Sequence, residues 1–184
     1  MQNENKPAIG VIGLGKNGYV LNARAAIAGY SSLAFSIRPA NVEMTNNGHN
    51  FGDFPGAAKN LVYLTFTDML HATTDPAAAI RRDIVFCCID EFAEEIDAAP
   101  ADAAMKLARI IGVYARRGSS FVFLMSESSG ISRDKLKAEI LKKSRVLIDN
   151  EITVDICKAP ENSEQLDGIL SDFVFLNGKG KNNE

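Results

Sequence analysis

Short apolar runs closed by glycine or proline recur along this chain, separated by longer stretches in which apolar side chains return every three or four residues. The run from Ala8 to Ile12 is too short for a helix and stops at Gly13, which predicts a buried strand. From Asn17 to Ala28 the positions of Val20, Leu21, Ala25 and Ile27 predict a closely packed helix ended by Gly29. Leu33, Phe35 and Ile37 then alternate within Ser32 to Ile37, a second strand. Pro39 opens a short helix that ends near Gly48, and His49 to Lys59 carries no helical period and is expected to be a loop. Val62 to Phe66 and Met69 to Ala72 are both rich in strand-forming residues and predict a hairpin or edge insertion. Asp75 before Pro76 is a helix start, with the helix running to about Arg82, and Ile84 to Ile89 is the next buried strand.

The second half continues the alternation. Ala104, Leu107, Ala108 and Ile111 lie on one face of a helix expected from Pro100 to Arg117, with Arg116 and Arg117 at its end and Gly118 beyond. Phe121 to Met125 is a strand, and Ser132 caps a helix through about Lys143. Arg145 to Ile148 predicts a short strand, Ile152, Val154 and Ile156 alternate in another, and Leu166 to Leu176 is expected to add an edge strand. The tail from Gly178 to Glu184, glycine, lysine and asparagine with a closing acid, is expected to be disordered, leaving 1–177 as one domain. Strands alternating with helices call for a mostly parallel, doubly wound α/β sheet with helices on both faces, because parallel strands need crossover connections.

Composition narrows the partners. A chain of 184 residues with 46% hydrophobic content can bury one substantial core. The net charge of −3, with no long cluster of Lys or Arg, gives no footprint for nucleic acid and none for a membrane surface. Cys87, Cys88 and Cys157 are an odd set with two adjacent in an apolar run, which suits reduced core thiols and a cytoplasmic location. The polar N-terminus lacks the build of a signal peptide, and no apolar stretch approaches the ~20 residues that span a bilayer.

The chemistry begins at Gly13-Leu14-Gly15-Lys16-Asn17-Gly18, a GxGxxG sequence that directly follows a strand and directly opens a helix. In a Rossmann-type domain the first glycine makes the tight turn, the second lets backbone approach a pyrophosphate, and the third lets helix pack on strand. The helix N-terminus adds unpaired N–H groups and positive dipole for the phosphates. The expected ligand is therefore a dinucleotide. A triphosphatase loop would need Gly-Lys-Ser/Thr, which Lys16-Asn17 does not supply. At the end of the second strand, where an NAD site places an acid, this chain has Ser36, with Arg38 two residues on. Nothing there repels a 2′-phosphate and a guanidinium could pair with it, so NADP(H) is the expected cofactor, with NAD(H) as the alternative. Asn41 is a weaker candidate at the adenosine end. Cys88 and Ile89, at the carboxyl end of the fourth strand, complete the candidate cofactor-binding set.

Ile9-Gly10-Val11-Ile12-Gly13-Leu14-Gly15, the run Ala72-Thr73-Thr74-Asp75-Pro76 with Ala77 to Ile80, and Asp83-Ile84-Val85-Phe86 together resemble the cofactor domain of opine dehydrogenases of the octopine type. That domain is related to those of ketopantoate reductase and glycerol-3-phosphate dehydrogenase. The resemblance spans about Ile9 to Met125 and continues faintly through Asn150-Glu151 and Thr153. It implies hydride transfer with NAD(P)H, reductive condensation of an α-keto acid with an amino acid, and a catalytic His and Asp on a helical domain or partner chain. Two loops depart from the family. Asp90-Glu91-Phe92-Ala93-Glu94-Glu95 stands where a proline and then a histidine are usual, and Met125-Ser126-Glu127-Ser128-Ser129-Gly130 replaces an Asn-Pro-Gly-type turn.

Asp90, Glu91, Glu94 and Glu95 are expected to be a solvated acidic start to a helix, complementing its dipole. Ser126, Ser128 and Ser129 lack a nearby base and are expected to be loop surface. His49 and His71 show no ligand spacing with the cysteines, so no metal is expected. Two functions remain: the cofactor domain of an oxidoreductase completed by a second domain, expected as a homo-oligomer, or a stand-alone non-catalytic module that binds or senses a dinucleotide.

Overall fold

The computed structural model describes residues 6–49, 61–126, 130–144 and 149–178. Its centre is β1 (Ile9–Ile12), wholly buried, flanked by β2 (Ser32–Phe35) and β4 (Ile84–Cys88), with Ile9 opposite both Ser32 and Ile84. With β3 (Leu70–Thr73), β5 (Ser120–Met125) and β6 (Thr153–Lys158) these form one six-stranded sheet in the order β3-β2-β1-β4-β5-β6. Every pairing is parallel. This is the doubly wound order, in which successive connections leave β1 in opposite directions and open a crevice at the carboxyl ends of β1 and β4.

The adjacent thiols show how the layers form. Cys87 and Cys88 point to opposite faces, as a strand requires, and each lies in a different core. On the Cys87 side pack α4 (Pro76–Ile80), α5 (Ile89–Glu95), α6 (Pro100–Tyr114) and α7 (Arg133–Lys143). The Cys88 side is covered by α1 (Lys16–Ile27), α3 (Leu61–Phe66) and α8 (Ser163–Gly178), while α2 (Pro39–Asn46) lies alongside β3. Helix starts follow their sequence signals. The Asp75 carboxylate accepts from Ala77 N at 2.9 Å and Ser132 Oγ accepts from Lys135 N at 3.3 Å. A buried polar stitch joins the first layer: Ser32 Oγ donates to Asn22 Oδ1 at 2.5 Å, and Asn22 Nδ2 donates to the His71 carbonyl at 3.3 Å.

Two expected strands are helices. Residues 61–66 form α3, so there is no hairpin; β3 instead joins the sheet edge parallel to β2. Leu166 to Leu176 lies within α8, because Leu166, Ile169, Leu170, Phe173 and Val174 recur at helical spacing and turn one face onto the sheet. The helix expected to reach Arg117 ends at Tyr114, and the two arginines beyond it pair with Asp83 and Glu151. A 3-10 turn over Asp149–Glu151 leads into β6. The expected strand 145–148, the loop 50–60 and the tail beyond Gly178 lie outside the described residues.

Candidate functional site

The glycine loop sits at the mouth of the crevice. Gly13 turns the chain out of β1 with φ of +89° and donates its N–H to the Phe35 carbonyl at 3.1 Å, tying the loop to the end of β2. Gly15 is the N-cap of α1 and has no side chain to satisfy the N–H groups of the first turn, which therefore need outside partners. At Gly18 a Cβ would stand 1.8 Å from the Gly13 carbonyl oxygen, so the helix crosses the strand end at a distance only glycine allows. Leu14 is buried beneath the loop and Lys16 is exposed.

The outside partners come from α5. β4 passes into α5 with Cys88 as its N-cap and no intervening loop, so Glu91 and Glu95, one helical turn apart, are carried to the glycine loop. Asn17 N donates to Glu91 Oε1 at 3.0 Å, and Leu14 N donates to Glu95 Oε1 at 2.9 Å. The second oxygen of Glu95 accepts from Ile37 N, just past β2, at 3.0 Å. The space above Gly15 is filled as well, since a Cβ there would lie 2.2 Å from Glu91 Cγ. The acidic segment is thus not the solvated surface expected from sequence. Glu94 is exposed, but Glu91 serves the N-terminus of a different helix, Glu95 ties the glycine loop to the residue beyond Ser36, and Asp90 Oδ1 receives the Ser126 hydroxyl at 3.5 Å.

The chain beyond β2, the candidate adenosine end, is also tied to α5. Ser36 is fully buried, and its Oγ accepts from Arg38 N at 3.1 Å. The exposed Arg38 extends its guanidinium to the Glu94 carbonyl, which accepts from Nη2 at 3.0 Å. Asn41 Nδ2 donates to the Leu14 carbonyl at 3.3 Å, so this residue braces the loop. Cys88 and Ile89 are buried whole, at the junction where β4 passes into α5. The structure gathers Gly13 to Gly18, Ser36, Arg38, Cys88 and Ile89 at the carboxyl ends of β1, β2 and β4, several of them fully buried, and adds Glu91 and Glu95, which sequence reasoning did not place there. The i, i+4 spacing of the two glutamates was a visible signal for a shared face, but their target was not. Ser128 and Ser129 lie outside the described residues. His71 on β3 pairs with Asp68 at 3.1 Å, and among the described residues no group of His, Cys, Asp and Glu could hold a metal.

Burial pushes the Glu91 carboxyl above the usual value of 4.5; the hydrogen bond from Asn17 opposes this, and the neighbouring Asp90 and Glu94 charges add to the rise. Folded protein thus holds that proton more tightly than unfolded protein does. The resulting stability is fully present below pH 4.5 and is lost as pH climbs through the raised value. Urea unfolding of the native chain and of Glu91→Gln across this window isolates the contribution. The native chain should lose stability relative to the variant as pH rises, and a pH-independent difference would refute the assignment. The same burial raises the Cys88 thiol well above its ordinary range, with Glu91 adding to it. No helix among the described residues is long and apolar enough to cross a membrane.

No protein-family profile matches the chain, and no curated protein does. Solved structures do. The chain is similar to the NDP-N-acetyl-D-galactosaminuronic acid dehydrogenase of Methanosarcina mazei Go1, with a TM-score of 0.66 and 19% identity, over 89% of this chain and 37% of that one. It matches the UDP-D-ManNAc dehydrogenase of Pyrococcus horikoshii with a TM-score of 0.69 and 15% identity, over 89% of this chain and 38% of that one. A UDP-glucose dehydrogenase from the archaeon Pyrobaculum islandicum matches with a TM-score of 0.65 and 16% identity, over 94% of this chain and 44% of that one. The chain spans less than half the length of each. At such identities the likeness is one of fold: this is a Rossmann-type α/β domain with six parallel strands.

Proposed function

We propose that this chain is the nicotinamide-dinucleotide-binding domain of an oxidoreductase, with Gly13 to Gly18 as the pyrophosphate cradle. The observation that carries this reading is the crossing of Gly18 over Gly13 at the open end of β1, which sets the N–H groups of α1 into the crevice between β1 and β4. In such a domain Ser36 and Arg38 would border the adenosine ribose, and the backbone of Cys88 and Ile89 the nicotinamide side. The cofactor, when bound, supplies hydride transfer. Catalytic side chains would come from a further domain or partner, in keeping with structural neighbours named as dehydrogenases that are more than twice as long as this chain.

The absence of a side-chain acid at Ser36 and the presence of Arg38 favour NADP(H) over NAD(H). The resemblance to opine dehydrogenases supports an α-keto acid and an amino acid as substrates for the assembled enzyme, and the reduced thiols suit the cytoplasm. The alternative, a non-catalytic dinucleotide module, is favoured by one observation: two donors of the loop, Leu14 N and Asn17 N, are already engaged by glutamates.

Calorimetric titration of the chain with NADPH, NADH and ATP tests the reading, which fails if none of them binds. NADPH is expected to bind more tightly than NADH. Replacing Arg38 with alanine should weaken NADPH by about tenfold, or ~1.4 kcal/mol, and change NADH little; equal losses for both would remove Arg38 from the 2′-phosphate.

A further inference from the structure

We propose that Glu91 and Glu95 are an intramolecular plug, two carboxylates standing where a pyrophosphate would stand, so that a dinucleotide enters only by displacing them. The inference rests on the dinucleotide reading given above and adds to it a closed state of the same site.

Four features carry it. Leu14 N and Asn17 N, donors of the glycine loop, both end on these carboxylates, at 2.9 and 3.0 Å. Glu95 bridges from the loop to Ile37 N, beside the Ser36 and Arg38 positions, so one side chain spans the path from phosphate to ribose. The Gly15 opening that would admit a phosphate oxygen is filled by the Glu91 side chain. Finally, Arg38, the cation placed to meet an incoming phosphate, is held on the Glu94 carbonyl of the same helix. A carboxylate and a phosphate compete for the same N–H groups in the same manner, as charge-assisted acceptors at a helix N-terminus.

Opening requires no change of fold. Glu91 and Glu95 are only partly buried and each is a flexible side chain, so rotation about their own bonds frees the loop. The bound state then places the pyrophosphate beside Asp90, Glu91, Glu94 and Glu95, whose charges oppose it. Plug and repulsion act in one direction: the native chain binds a dinucleotide more weakly than its backbone would permit.

The test is calorimetric titration of NADPH and NADH into the native chain and into Glu91→Ala/Glu95→Ala. Amide signals of Leu14, Asn17 and Ile37 are followed in parallel by NMR. The proposal expects the variant to bind at least about tenfold more tightly, and expects the three amide signals of the native chain to shift together during the titration. Equal affinity in both proteins overturns the plug while leaving the dinucleotide reading intact. Binding by neither protein overturns both. Should the double alanine variant fail to fold, Glu91→Gln/Glu95→Gln keeps shape while removing charge. It must still bind more tightly than the native chain, and unchanged or weaker binding rejects the proposal.

Discussion

Replacing Gly18 with alanine is expected to cost about 3 kcal/mol or more, at the upper end of what overpacking a core incurs. The new Cβ would lie 1.8 Å from the Gly13 carbonyl oxygen and 3.0 Å from its carbon. Both are backbone atoms at the end of the central strand, so no rotamer change relieves the clash, and α1 must lift from β1. The same substitution at Gly15 meets Glu91 Cγ at 2.2 Å, which rotation can move, and Glu91 Cβ at 2.8 Å, which only a small shift of α5 can relieve, and should cost less because no backbone atom is struck. Denaturant unfolding of the two variants gives the comparison. Equal losses, or a Gly18→Ala loss under about 1 kcal/mol, would mean that the crossing of helix and strand is looser than described.

Phe86→Ala should destabilise the chain by about 3–5 kcal/mol, the range for emptying a buried aromatic site. Phe86 is fully buried on β4, and its ring meets that of Phe173 on α8 edge-on, with centroids 6.4 Å apart and planes at 86°. Such a pair adds roughly 0.5–1.5 kcal/mol beyond its buried area. Because α8 holds to the sheet through this side of the core, its amide hydrogens should exchange faster in the variant while those of β5 stay protected. An α8 whose exchange is unmoved would not be docked on Phe86.

Most of the sheet was legible because its strands are buried on both faces and read as unbroken apolar runs, as at Ile84 to Cys88 and Phe121 to Met125. The glycine loop was legible because its constraints are local: a turn at Gly13 and a close crossing at Gly18. Composition misled where it was weighed above period. Val62 to Phe66 is rich in strand formers yet forms a short helix in which Leu64 is buried and Phe66 lies 84% exposed, a pattern an alternating strand would not give. In α8 the helical period was present from Leu166 to Val174 and was overridden by the β-branched and aromatic residues around it. The glutamates were hidden for another reason. Read as an acidic helix start they have a sufficient role as dipole partners, although Glu95 closes α5, and only the β1–β4 pairing reveals that α5 starts beside the N-terminus of α1.

That same pairing sets the order in which a growing chain can be assembled. β2, which pairs with β1 through Ile9 and Ser32, is synthesised soon after it, whereas the other partner, beginning at Ile84, is synthesised only dozens of residues later. In the interval one edge of Ile9 to Ile12 is bare, an apolar template open to wrong partners. The arrival of β4 closes that edge, and α5 follows without a pause, delivering Glu91 and Glu95 to the loop's waiting N–H groups. The second edge of β1 and the glycine loop are therefore closed by one connection, ahead of β5 and β6, and a nascent chain halted before Ile84 has neither closure.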